Sequence, residues 1–190
     1  MLPPQVDYFS VLGLPRHPVV DETALTQRYY DLSRRLHPDL HQTGTAEEKE
    51  ASLKNTALLN RAYRTLRDAV PRGQYWLELQ GERLGKDNNR VPPQLAALVF
   101  AVQEKLAEVR ETRAAGRATA VQAELAQIRA DLESQMESLR TALTENLAQW
   151  NGDGGAPELL RNLKNLLSEI AYLRTLLRDV EKEHDASWNA

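Results

Sequence analysis

Three consecutive residues, His37, Pro38 and Asp39, place an imidazole and a carboxylate on either side of a rigid ring. Proline fixes its own φ and drives the residue before it out of helical ψ. A helix arriving at Leu36 must therefore stop, leaving His37 and Asp39 on a bend. Such a pair suits a partner that offers an arginine and a backbone donor. It is not a complete catalytic site. A metal reading would add His41, which alternates with His37 and Asp39. Pro38 splits that set, and two histidines with one carboxylate do not close a site. No metal and no cofactor is expected.

The elements that position this bend are helices. Asp7 to Leu12 reads as one short helix capped by Asp7, ended by Gly13 and kept from resuming by Pro15, with Phe9 and Leu12 facing a core. Asp21 is a good N-cap for a second helix over 22–36. Leu25, Tyr29, Leu32 and Leu36 recur at spacings of four, three and four, which is one helical face. The other face carries Gln27, Arg28, Asp31, Arg34 and Arg35, so the helix leading into His37 is locally basic. Thr45 and Glu48 have capping-box spacing, and Leu59, Ala62, Tyr63 and Leu66 give the core face of a third helix. Asn60 beside that stripe is polar, and its partner is not legible. Pro71 is expected to break this helix, with a further short one over 72–80 whose apolar residues are Tyr75, Trp76 and Leu79.

Gly81, Gly85, Asp87, Asn88, Asn89 and the pair Pro92-Pro93 mark a connector. Beyond it the chain reads as almost purely helical. Leu95, Leu98, Val99, Val102, Leu106 and Val109 form one stripe. Val121, Leu125, Ile128, Leu132, Met136, Leu139, Leu143, Leu147 and Trp150 form a second. Leu160, Leu163, Leu167, Ile170, Leu173, Leu177 and Val180 form a third. Breaks at Gly116 and at Gly152-Asp153-Gly154-Gly155 favour an antiparallel three-helix bundle, and a monomer, over a parallel coiled-coil dimer. The tail from His184 to Ala190 is expected to fray. Trp76 and Trp150 are expected in the core or between domains. The predicted fold is all-α, with a helical domain over 1–80, a connector over 81–92 and a bundle over 93–190.

Composition narrows the function. The chain has 190 residues, 42% hydrophobic and 27% charged, with a formal charge of −3. The first 80 residues hold ten basic and ten acidic side chains, so the remainder carries the whole excess. Nucleic acid prefers a clearly basic face and is not an expected partner. Cysteine is absent, which excludes disulfides, thiolate ligation and a cysteine nucleophile. There is no paired-histidine helix motif and no glycine-rich phosphate loop with a lysine. The acidic residues show no spacing that singles out a catalytic pair, so the chain is not expected to be an enzyme. The first residues lack a basic region followed by an apolar run, and no apolar stretch approaches membrane-spanning length. A cytoplasmic protein with no membrane partner is the expectation.

Three segments together resemble a known family. Asp7-Tyr8-Phe9-Ser10-Val11-Leu12-Gly13-Leu14 is similar to the opening of a J-domain. A basic helix then leads to His37-Pro38-Asp39, the signature of that family. Leu59-Asn60-Arg61-Ala62-Tyr63-Arg64-Thr65-Leu66 resembles the matching part of its third helix. The whole layout resembles the HscB (Jac) type of J-protein, the co-chaperones of iron–sulfur cluster assembly. It has an N-terminal J-domain, no Gly/Phe-rich linker, the run Arg67 to Gly81 and a helical bundle.

The resemblance implies a division of labour. The J-domain would dock on an HscA/DnaK-type chaperone ATPase. His37, Pro38 and Asp39 would trigger hydrolysis, with Arg28, Arg34 and Arg35 steering the encounter. The bundle would bring the IscU-type cluster scaffold. In the family, a hydrophobic pair, a further apolar residue and two glutamates near the start of the first bundle helix bind the scaffold. Here Ala96, Ala97, Phe100 and Glu104 take four of those positions, Ala101 replaces a glutamate, and Tyr172 matches an aromatic on the last helix. The two alanines bury little area, which points to a diverged scaffold or a weaker contact. Two alternatives stand beside this reading: a J-protein of the same layout serving another client, and a non-catalytic helical scaffold in which His37-Pro38-Asp39 is an incidental turn.

Overall fold

The computed structural model describes residues 7–37, 45–85, 91–114, 118–150 and 157–188, with side chains described up to 112 and from 122 in the bundle, and up to 183 in the last helix. Among these residues the fold is all-α: α1 (Tyr8–Leu12), α2 (Glu22–Leu36), α3 (Ala46–Arg67), α4 (Ala69–Leu79), α5 (Ala96–Ala114), α6 (Ala118–Ala148) and α7 (Pro157–Trp188). One 3₁₀ turn, Pro93–Leu95, precedes α5. None of these helices is long and apolar enough to cross a membrane.

Each early helix begins where a local cap dictates. The Asp7 carboxylate accepts from the Ser10 amide at 2.9 Å, and that of Asp21 from the Thr23 and Ala24 amides at 2.9 and 3.1 Å. At α3 the capping box closes in both directions. The Glu48 amide donates to Thr45 Oγ1 at 3.2 Å and the Thr45 amide to the Glu48 carboxylate at 2.8 Å. Gly13 ends α1 at φ 63°, a left-handed conformation that costs glycine nothing.

The break after α3 differs from expectation. It falls at Asp68, whose carboxylate accepts from the Val70 amide at 2.9 Å, and Pro71 lies inside the first turn of α4. A proline in that turn lacks only an amide that would have no helical acceptor. Asp68 therefore ends one helix and caps the next, and Pro71 breaks neither. The buried Arg72 guanidinium donates to the Leu66 carbonyl at 2.7 Å, closing the last turn of α3. Desolvation holds its pKa below the usual arginine value, against the opposing pull of Glu22 and Asp68.

The chain divides into two compact units. Met1–Glu82 and Asn146–Leu160 make one; Arg83–Glu145 and Arg161–Ala190 make the other. In the first, Phe9, Leu12, Leu25, Leu59, Ala62, Leu66, Trp76 and Leu77 are fully or almost fully buried. Aromatic rings bind its parts together. Phe9 meets Trp76 edge-on at 6.1 Å, and Trp76 meets Trp150 edge-on at 5.6 Å, an arrangement favoured by the ring quadrupoles. The Val19 amide donates to His17 Nδ1 at 3.1 Å, so the ring proton resides on Nε2, which donates to the Trp150 carbonyl at 3.0 Å. The segment around Trp150, at the end of α6, is thereby part of the core built by the first 82 residues.

The second unit holds the three-helix bundle. Its seam is Leu95, Val99, Val102, Leu106 and Val109 from α5, Leu125, Ile128, Leu132, Met136, Leu139 and Leu143 from α6, and Leu163, Leu167, Ile170, Leu173, Leu176 and Val180 from α7. Leu176 is buried at this level and Leu177 is only half-buried, a correction to the predicted stripe. The α7 helix runs on to Trp188. Neither glycine nor proline interrupts it after Pro157. The breaks expected at Gly116 and Gly152–Gly155 fall outside the described residues.

Trp150 has only 1% of its surface exposed. Replacing it with alanine is expected to cost about 3–5 kcal/mol in urea unfolding of the full chain. An unchanged midpoint would contradict its assignment to the core of the first unit.

Candidate functional site

The α2–α3 hairpin builds the first candidate site. Tyr29 stacks on Tyr63 with ring centroids 4.1 Å apart, and the Tyr29 hydroxyl donates to Asn60 Oδ1 at 2.9 Å. This supplies the partner of Asn60. Together the two contacts fix how α2 lies against α3 midway along the pair. Arg67 stands over the Tyr63 ring at 5.9 Å, within cation–π range.

At the far end of α2 the chain turns out of the helix at His37, with φ −60° and ψ 130°. The Leu36 carbonyl, left without a helical amide, accepts instead from two hydroxyls of α3, Ser52 Oγ and Thr56 Oγ1, each at 3.0 Å. His37 follows immediately and is exposed. Pro38, Asp39 and His41 lie outside the described residues. Arg28, Arg34 and Arg35 are all exposed on α2. Arg34 and Arg35 occupy its last turn, where a positive charge is favoured by the carbonyl ends of the helix. Tyr30, one turn before Arg34, is 57% exposed. The hairpin thus presents a basic helix face that leads to an exposed imidazole.

The second candidate site lies on the bundle. Ala96, Ala97, Phe100 and Glu104 are all exposed on α5. At 100° per residue they fall within about 100° of arc, opposite the seam of Leu95, Val99, Val102 and Leu106. Phe100 is 71% exposed, the largest value among the exposed bulky apolar side chains of the described residues. Phe100 is therefore not a core residue of the bundle.

Tyr172 is half-buried on α7. Arg110 of α5 donates to the Glu183 carboxylate of α7 at 2.8 Å. The two helices run in the same direction in an up-down-up bundle, so this pair sets their level. Ten residues back along each helix are Phe100 and Leu173, which puts Tyr172 at the level of Phe100. The structure thus brings the α5 residues together on one face and places Tyr172 at their height on the neighbouring helix. Glu169, one turn before Tyr172, is nine-tenths buried, and this burial pushes its carboxyl above the usual range.

The described residues contain no cluster of three or more His, Asp or Glu able to hold a metal ion. Sequence reasoning did not single out Ser52, Thr56 or Tyr30. The only local sign of the hydroxyl pair is its i, i+4 spacing on α3, which puts both on one face.

Comparison with known proteins gives concordant results. The family model described as the DnaJ domain matches residues 7–75. The co-chaperone protein HscB homolog of Aromatoleum aromaticum is 33% identical over 159 residues, 84% of this chain and 86% of that protein. The crystal structure of human co-chaperone protein HscB matches with a TM-score of 0.74 at 24% identity, over 95% of this chain and 83% of that one. Chaperone HscB from Vibrio cholerae matches with a TM-score of 0.67 at 22% identity, over 96% and 99%. The two structural likenesses establish the fold alone.

Proposed function

The chain belongs to the HscB family of J-domain co-chaperones, and from that membership we propose how its parts divide the work of iron–sulfur cluster assembly. Residues 1–80 dock on an HscA/DnaK-type chaperone ATPase and stimulate its ATP hydrolysis. Residues 81–92 connect, and residues 93–190 carry an IscU-type scaffold to that chaperone. The protein acts as a monomer and forms no bond to nucleotide itself.

The observation that carries the first part is the exposed basic face of α2, with Arg28, Arg34 and Arg35, ending at the exposed His37. Exposed charges of one sign raise the rate of encounter with an acidic surface, whereas each alone adds little to stability. His37 and Asp39 then act on the docked partner, one as a neutral or cationic donor and the other as an anionic acceptor for an arginine.

The second part rests on Phe100. An aromatic ring left mostly in water, between Ala96, Ala97 and Glu104, is a surface that gains by being covered. The alanines leave room for a partner side chain to approach the helix, and Phe100 supplies the anchor, with Tyr172 at its level on α7. Glu104 sits at the edge, where a basic group of the scaffold can pair with it in a polar rim.

The substitution Asp39→Asn is isosteric and removes only the charge. It is expected to reduce stimulation of the chaperone to the basal rate while leaving the melting temperature of this protein unchanged. Wild-type stimulation by this variant would contradict the proposed role of the tripeptide. The pair Phe100→Ala and Tyr172→Ala is expected to weaken binding of the IscU-type scaffold about tenfold or more in a calorimetric titration, with stimulation in the absence of scaffold preserved. Unchanged affinity would move the scaffold site elsewhere on the bundle.

A further inference from the structure

The residues that hold the end of α2 are on α3, and their geometry points to a role in stimulation. We infer that Ser52 and Thr56 are positioning residues for the chaperone-stimulating corner, setting the direction in which the chain leaves α2 at Leu36. The inference rests on the reading of His37-Pro38-Asp39 as the trigger, and it assigns that trigger its support.

Three observations carry it. Both hydroxyls donate to the same atom, the Leu36 carbonyl oxygen, at 3.0 Å each. A carbonyl has two lone pairs, so the pair of hydroxyls saturates it. Next, this is not the default for hydroxyls on helices of this protein. Ser138, Thr141, Thr144, Ser168 and Thr175 each donate to the carbonyl four residues back in their own helix. Ser52 and Thr56 donate across to another helix, 16 and 20 residues away in sequence.

Third, their platform is fixed at both ends. The Thr45–Glu48 capping box anchors the start of α3, and the Tyr29–Asn60 bond and Tyr29–Tyr63 stack lock the two helices farther along. Ser52 has only 5% of its surface exposed, so water is a poor substitute for its hydroxyl.

A carbonyl held by two donors fixes the plane of the peptide that joins Leu36 to His37. That plane sets where the imidazole begins. Encounter with the chaperone depends on the exposed arginines, whereas triggering depends on placement. Loss of the hydroxyls should therefore lower the maximal effect more than the affinity.

The test measures stimulation of an HscA/DnaK-type chaperone as a function of the concentration of the full chain. Ser52→Ala/Thr56→Val removes both hydroxyls at nearly constant volume. It is expected to lower maximal stimulation about tenfold while the half-saturating concentration changes by less than about twofold. Ser52→Ala/Thr56→Ser restores one hydroxyl and should recover most of the loss, which a purely volumetric effect would not do. Asp39→Asn serves as the control.

If Asp39→Asn abolishes stimulation and the hydroxyl-free variant keeps the wild-type maximum, the inference is overturned and the proposed function stands. A rise in half-saturating concentration alone overturns it likewise. If Asp39→Asn stimulates like wild type, the proposed function fails and the inference with it. Should the double variant melt below the assay temperature, Thr56→Val alone is expected to cost about threefold in the maximum, and no loss there overturns the inference.

Discussion

A proline cannot supply the amide that would continue a helix, and the residue before it cannot keep helical ψ. That constraint at Leu36–His37–Pro38 shapes the first unit. Because α2 must end at Leu36, its last carbonyls lose their amide partners. One of them is taken up by Ser52 and Thr56 on α3. Farther from the corner, the Tyr29–Tyr63 stack and the Tyr29–Asn60 bond hold the same two helices, and the buried residues Leu25, Leu59, Ala62 and Leu66 close them over Phe9 and Leu12 of α1. The hairpin is in this sense a support for one corner. Its exposed side carries Arg28, Arg34 and Arg35, each of which adds little to folding.

The bundle answers to a different demand. Its seam is supplied by leucine, valine and isoleucine at helical spacing, and these residues are nearly all buried. Once that seam is closed the outer face of α5 has no structural need of a large apolar side chain. Alanine suffices at 96 and 97, yet Phe100 stands 71% in water. Folding does not account for it, because the ring buries little area in the protein itself. In the proposed function, a partner that covers it does. The segment after α6 belongs to the first unit: Trp150 meets Trp76 edge-on, and its carbonyl accepts a hydrogen bond from His17 Nε2.

What the sequence made legible follows the range of the interactions concerned. The caps at Asp7, Asp21 and Thr45 act within three residues, so the starts of α1, α2 and α3 could be read directly. The seam of the bundle could also be read, since it needs only a period. Where two leucines are adjacent the period does not choose, and Leu176, not Leu177, faces inward. Pro71 misled for a local reason: a breaker in the middle of a helix is tolerated in its first turn, and Asp68 capped that turn. Ser52 and Thr56 gave no usable signal, because the carbonyl they serve lies 16 and 20 residues back. Phe100 and Tyr172 were named by resemblance. Their level across the bundle followed only from the Arg110–Glu183 bond, which joins residues 73 apart.

The account's central claim is that one chain couples a hydrolysis trigger to a scaffold carrier. Single-turnover ATP hydrolysis by an HscA-type chaperone, measured with this protein alone, with an IscU-type scaffold alone and with both, tests it most directly. The account predicts stimulation by this protein that rises more than additively when the scaffold is added. Stimulation indifferent to the scaffold would contradict the coupling, and no stimulation under any of these conditions would contradict the trigger.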